Sequence, residues 1–122
     1  MKCKHEECNN ELPEHYEYAP NKWKNKECGT CRSLKSKYGI TTPERDYMLK
    51  SQDYRCLGCS SIIEFTTEGY TNKHTAVVDH CHVTGNVRGI LCGACNTLLG
   101  KAEDSPFILR NLANYLEERI PQ

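Results

Sequence analysis

Apolar positions in this chain come in short stretches separated by polar ones, and the stretches follow two different periods. Ile62-Ile63-Glu64-Phe65-Thr66 and Thr75-Ala76-Val77-Val78-Asp79 are rich in β-branched residues and predict two strands, with Glu68-Gly69 in the connection between them. Thr84-Gly85-Asn86 predicts a turn, and Val87 to Leu91 returns as a short extended segment that delivers the chain to Cys92. Helical signals flank this β region. Lys35 to Tyr38 continues a helix from Cys31 and ends at Gly39. Thr41-Thr42-Pro43-Glu44 combines a threonine cap, a proline at the first helical position and an acid in the first turn, so a second helix runs to about Gln52. A further helix starts near Asn96. A final one starts at Ser105-Pro106, with Leu109, Leu112, Leu116 and Ile120 on one face. That stripe serves either an internal core or the seam of a homodimer.

Composition narrows what these elements can build. A chain of 122 residues is one domain of ordinary size with room for a small appendage. Only 38% of residues are hydrophobic and 8% aromatic, so the core is thin and needs metals or disulfides to support it. No run approaches the ~20 apolar residues of a membrane span, and the first ten residues lack the apolar stretch of a secretory signal. The chain therefore reads as soluble and intracellular, in a host-cell cytoplasm and with no membrane partner. That compartment is reducing, and an odd count of nine cysteines could not pair off completely. Metal binding is the leading use for the sulfurs.

Their spacing divides the chain. Cys3 and Cys8 are followed by Cys28 and Cys31, and Cys56 and Cys59 by Cys92 and Cys95. A short interval between two cysteines lets one turn aim both thiolates at one ion, and a second pair completes a tetrahedron. Two structural Zn²⁺ ions account for eight sulfurs. Sequential pairing is the simplest arrangement, an interleaved one stays open, and His5 offers a competing ligand in the first site. Gly29, Gly58 and Gly93 supply backbone freedom for such turns. Cys81 is left over, a small side chain in a partly buried site. The pattern divides the protein into an N-terminal zinc-knuckle module over residues 1–40 and a second unit over 41–122.

Charge sharpens the division. Lys and Arg number 16, as do Asp and Glu, but the balance is local. Residues 1–21 carry two basic and five acidic side chains, whereas residues 22–55 carry nine basic and four acidic. A phosphate chain responds to the local field rather than the sum. Lys22, Lys24, Lys26, Arg32, Lys35 and Lys37 are the candidate DNA contacts. Eight zinc-bound thiolates and two zinc ions would move the folded protein from neutral to about −4, which leaves this basic segment as the source of DNA affinity.

The remaining chemistry lies in Asp79-His80-Cys81-His82 and Asn96. A carboxylate oxygen from Asp79 and an amide oxygen from Asn96 are hard ligands suited to one catalytic Mg²⁺, with Mn²⁺ or another divalent cation as a substitute. His80 can take a proton from water, since imidazole is a competent base at neutral pH. His82 or Arg88 is available to hold a non-bridging phosphate oxygen. The same Asp-His-x-His string would otherwise be a further zinc cluster or polar surface.

Cys56-x-x-Cys59 together with the run from Val78 through Asp79-His80-Cys81-His82 and Arg88-Gly89-Ile90-Leu91-Cys92 to Cys95-Asn96 and Gly100 resembles the recombination endonuclease VII group of phage HNH nucleases. The likeness covers roughly residues 43–120. It implies a small α+β, zinc-stabilised ββα-metal (HNH) fold, here preceded by a zinc knuckle and helix and followed by a C-terminal helix. It also implies that Asp79 and Asn96 bind the catalytic metal, that His80 is the general base, that His82 positions the scissile phosphate, and that Cys56, Cys59, Cys92 and Cys95 hold zinc. The N-terminal knuckle looks like the extra zinc module of some small HNH proteins, including certain rare-cutting restriction endonucleases. The expected activity is DNA hydrolysis leaving a 5′-phosphate and a 3′-hydroxyl, on branched or duplex DNA. The alternatives are a sequence-specific or nicking enzyme, and a zinc-ribbon module that binds nucleic acid without cutting it.

Overall fold

The computed structural model describes residues 2–5, 7–10, 12, 28–66 and 74–120. Its elements run α1 (Gly29–Tyr38), α2 (Thr42–Ser51), β1 (Ala76–His80), β2 (Val87–Cys92), α3 (Gly93–Lys101) and α4 (Pro106–Arg119). Local chemistry fixes most of these boundaries. Gly39 ends α1 with φ at 75°, and its N–H reaches the carbonyls of Leu34 and Lys35. The capping box at the start of α2 is complete: Thr41 accepts from the Glu44 N–H while the Glu44 carboxylate accepts from the Thr41 N–H. Ser105 caps α4 with its hydroxyl, which accepts from the Ile108 N–H at 3.2 Å.

Cysteines cap the other two helices. Cys28 Sγ accepts from the Cys31 N–H at the start of α1, and Cys92 Sγ accepts from the Cys95 N–H at the start of α3. Cys28-x-x-Cys31 and Cys92-x-x-Cys95 are thus helix N-termini whose free N–H groups favour the thiolate, whereas Cys56-x-x-Cys59 lies in a turn. The expected role of the knuckle glycines changes here. Among the described glycines only Gly39 and Gly85 have positive φ. Gly58 is needed for space instead, because a Cβ there would lie 2.9 Å from Cys95 Sγ.

β1 and β2 pair antiparallel from Ala76 with Cys92 to Asp79 with Gly89, after which His80 faces Val87. Arg88 is therefore the extra residue of a β-bulge, a device that re-aims side chains. The connection is closed by the Gly85 N–H on the Cys81 carbonyl at 2.7 Å and the Cys81 N–H on the Asn86 carbonyl at 2.8 Å. β2 passes directly into α3, which packs back on both strands.

Residues 62–66 do not form the expected strand. They make two isolated bridges, Arg55 with Ile62 and Glu64 with Thr75. The Ile63 N–H donates to Tyr54, whereas the Glu64 carbonyl accepts from Ala76, so the partner changes before a ladder can develop. The β-branched pair instead supplies one anchor: Ile63 is 2% exposed and Ile62 65%. The predicted Glu68-Gly69 connection lies outside the described residues.

The described residues form two cores. Leu34, Leu49, Ile63, Ala76, Val78, Ile90 and Leu91 surround Cys56 and Cys92. Cys3, Cys8, Leu12, Cys28 and Cys31 form the other. α1 joins them, starting at Cys28 and placing Leu34 in the larger core. A second link is polar: Cys31 Sγ lies 3.0 Å from Thr42 Oγ1 and accepts the Thr42 N–H at 3.4 Å. α4 buries none of its residues, and Leu112, Leu116 and Ile120 of the predicted stripe are exposed. No helix among the described residues is long and apolar enough to cross a membrane.

Candidate active site and zinc centres

The sulfurs of Cys3, Cys8, Cys28 and Cys31 lie within 4.8 Å of one another, as do those of Cys56, Cys59, Cys92 and Cys95. Sequential pairing is therefore the arrangement adopted, and His5 stands outside the first cluster. Cys8 lies 4.0 Å from Cys28 and 3.7 Å from Cys31, and Cys59 lies 3.8 Å from Cys92. Sulfurs about 2.3 Å from a tetrahedral zinc are about 3.8 Å apart, far beyond disulfide length. All nine cysteines are free thiols.

The hydrogen bonding of the clusters suits thiolates. The Cys28 N–H donates to Cys3 Sγ at 3.3 Å, and the N–H groups of Gly58 and Cys92 donate to Cys56 Sγ at 3.3 and 3.2 Å. Burial raises the Cys28 thiol, but hydrogen bonds from Asn10 and Cys31 outweigh it and bring the pKa down to about 7. Cys59, exposed and 3.1 Å from the Ser61 hydroxyl, is drawn down to about 6 by that serine. Cys8 is pushed up to about 12, chiefly by burial. Four adjacent thiols cannot all ionise without a cation among them. Both donor sets fit structural zinc.

The second constellation forms where β1 ends. Asp79 is 6% exposed, and Arg88, turned inward by the bulge, grips it with two hydrogen bonds. Arg88 Nε is 2.7 Å from one carboxylate oxygen and a terminal nitrogen 2.9 Å from the other. That terminal nitrogen also lies 3.5 Å from Asp104 Oδ1, while Asp104 Oδ2 lies 2.8 Å from His82 Nδ1. The His80 and His82 rings meet edge to face at 4.7 Å, and Tyr38 of α1 lies 5.3 Å from His80. Tyr38, His80, His82, Asp104, Arg88 and Asp79 thus form one contiguous cluster. Its carboxylates hold the arginine firmly charged, Asp79 first and then Asp104. The hydrogen bond from His82, reinforced by Arg88, keeps the Asp104 carboxyl below the ordinary range.

Asn96 lies half-buried in α3, four residues after the capping Cys92, and its side chain has no hydrogen bond to the described residues. Asp79 on β1 and Asn96 on α3, which packs against that strand, carry oxygen donors of the type a hard divalent cation takes; both Asp79 oxygens are held here by Arg88. Of the six basic candidates, Lys35 and Lys37 are exposed on α1 and Arg32 is half-buried there, whereas Lys22, Lys24 and Lys26 lie outside the described residues. Asp104 and Tyr38 were not singled out by the sequence. Tyr38 reads only as the last residue of a helix, and Asp104 only as one acid before Ser105-Pro106, so neither carries a local signal.

These features define a small α+β protein with two four-cysteine clusters, the second of which ties a β-hairpin to the helix that follows it. Residues 30–118 match the recombination endonuclease VII family, and the chain belongs to that family. The Gene 59 protein of Mycobacterium phage D29 is 35% identical over 82 residues, which cover 66% of this chain and 46% of that protein. The Gene 59 protein of Mycobacterium phage L5 is 36% identical over 80 residues, covering 65% and 44%. The chain thus spans less than half the length of these phage relatives. Among solved structures, the ββα-Me type II restriction endonuclease Hpy99I is similar at 26% identity, covering 77% of this chain and 50% of that one with a TM-score of 0.42.

Proposed function

We propose that this protein is a metal-dependent DNA endonuclease that hydrolyses phosphodiester bonds by an HNH one-metal mechanism. The observation that carries the reading is the convergence of Asp79, His80, His82 and Arg88 at one end of the hairpin, in a chain of the recombination endonuclease VII family. His80 takes the proton of the attacking water through an imidazole nitrogen. His82 and Arg88 direct N–H groups at a non-bridging oxygen and stabilise the charge that builds on phosphorus. Asp79 and Asn96 would hold the divalent cation, Mg²⁺ in this reading, and it would supply Lewis-acid stabilisation of the phosphate and of the leaving 3′ oxygen. The products are a 5′-phosphate and a 3′-hydroxyl. Lys35 and Lys37 lie on the helix that ends at Tyr38 beside His80, so a DNA backbone that follows α1 past Arg32 arrives at the base; Lys22, Lys24 and Lys26 are further candidate contacts from the sequence alone.

The test is incubation of purified, zinc-loaded protein with Mg²⁺ or Mn²⁺ and a panel of linear, supercoiled, single-stranded and four-way-junction DNA. Cleavage by the wild type, its loss in His80→Ala and retained DNA affinity in that variant are expected. Binding without cleavage of any substrate would instead identify a zinc-ribbon binding module. A cut confined to one short sequence would place the enzyme with restriction-type nucleases, and a single-strand break with nicking ones.

A further inference from the structure

Asp104 takes part in the cluster from the far side of α3, and its placement is held by an elaborate turn. Glu103 and Asp104 both have positive φ, 56° and 55°. Such backbone is uncommon outside glycine, although aspartate tolerates it better than most residues. The turn is bonded on both sides: the Asp104 N–H donates to the Leu99 carbonyl at 2.9 Å, the Glu103 N–H to Gly100 at 3.0 Å, and the Ser105 N–H to Ala102 at 3.0 Å. Ala102 is buried beneath it, and Ser105 begins α4. Two consecutive left-handed residues pinned in this way aim one carboxylate back at the hairpin.

That carboxylate divides its two oxygens between the groups read above as phosphate-binding. Oδ2 faces His82 Nδ1 at 2.8 Å, and Oδ1 faces Arg88 at 3.5 Å. Asp104 is 23% exposed and His82 63%, so the ring projects into solvent from a shielded anchor. A carboxylate acceptor at Nδ1 requires the proton to be on that nitrogen. It leaves Nε2 on the outer side of the ring, where it can donate to a phosphate oxygen only when the ring carries both protons.

We propose that Asp104 is a positioning residue of the nuclease, holding the His82 ring through a protonated Nδ1 and tethering Arg88 beside it so that the outer His82 nitrogen and the guanidinium face one non-bridging oxygen. The inference rests on the nuclease reading. Asp104 itself touches no substrate and transfers no proton.

The variants for the test are Asp104→Gly, which removes the carboxylate while suiting the positive φ, and Asp104→Asn, which keeps the shape and removes the charge. In zinc-loaded, ¹⁵N-labelled protein without DNA, two-bond ¹H–¹⁵N spectra report the His82 tautomer. The wild type should show a protonated Nδ1, and Asp104→Gly should lose that preference. Single-turnover cleavage by Asp104→Gly should fall about 10- to 100-fold, as misplaced reacting groups do. DNA affinity should change less than about threefold, because backbone contacts elsewhere dominate it. In a His82→Ala background the same substitution should cost far less, and Asp104→Asn should lie between wild type and Asp104→Gly. An unchanged His82 tautomer in Asp104→Gly, or an equal loss with and without His82, overturns the proposal. Failure of the wild type to cut any DNA sinks the nuclease reading on separate grounds, while the spectra still report whether Asp104 sets the ring.

Discussion

At the scale of single residues, the consequential positions are those where space or charge leaves one solution. Two glycines illustrate how a neighbour decides the outcome. A Cβ at Gly58 meets Cys95 Sγ at 2.9 Å, and a sulfur committed to a metal cannot yield. Gly58→Ala should therefore destabilise by about 1–3 kcal/mol, the usual cost of overpacking, with weakened zinc retention read by thermal melting and metal analysis. A Cβ at Gly89 meets Leu57 Cδ1 at 2.8 Å, which looks worse. Leu57 is 63% exposed and can swing away, so Gly89→Ala should cost less than about 1 kcal/mol in the same melt. Asp79, His80, His82, Asn96 and Arg88 stand out as candidates from residue type and order alone. Asp104 was not, because an acid at the end of a helix has no distinguishing neighbour in sequence and gains its meaning from His82, 22 positions away.

At the scale of elements, caps and cysteines do the work that a larger core would do elsewhere. α2 fully buries only Leu49 and Thr42, with Met48 packed partly against the core, and depends on its capping box. Thr41→Ala should cost about 1 kcal/mol, measured by chemical denaturation of the zinc-loaded protein. The helix boundaries were legible because Thr41-Thr42-Pro43-Glu44, Gly39 and Ser105-Pro106 act within a few residues. The segment 62–66 misled because β-branched composition reports a pleated, half-buried surface rather than a partner strand. Its backbone is shared among Tyr54, His74 and Ala76, and only tertiary placement reveals that. The apolar stripe of α4 was also legible, but what it covers was not: Leu112, Leu116 and Ile120 lie about half-exposed.

At the scale of the whole molecule, two four-sulfur centres hold two small cores, and Cys31 with Thr42 connects them. Cys31→Ser should remove one zinc equivalent and loosen the N-terminal module. Cys59→Ser should remove the other and unfold the hairpin unit, since structural zinc contributes folding energy directly; metal analysis and far-ultraviolet circular dichroism separate the two. Acid should act through the same sulfurs. The Cys59 thiol is drawn from 9.0 to about 6, a folded value below the unfolded one. Its stabilising contribution is complete above the ordinary thiol range, declines as pH falls, and is gone below about 6. With zinc bound, protons must displace the metal, so release begins at or below that value. Zinc content measured against pH should fall first by one equivalent, from the centre whose Cys59 is exposed rather than from the fully buried one. The sequence by itself determined the four cysteine pairs and most helix ends and marked the Asp79-His80-His82 string as candidate chemistry, because each is written in residue types only a few positions apart; which pairs share a centre was left to the tertiary structure. Only the tertiary structure decided that the bulge turns Arg88 onto Asp79, that Tyr38 reaches His80, and that Asp104 faces His82. Those contacts join distant segments, and their energies depend on distances of about 3 to 5 Å that local spacing does not encode.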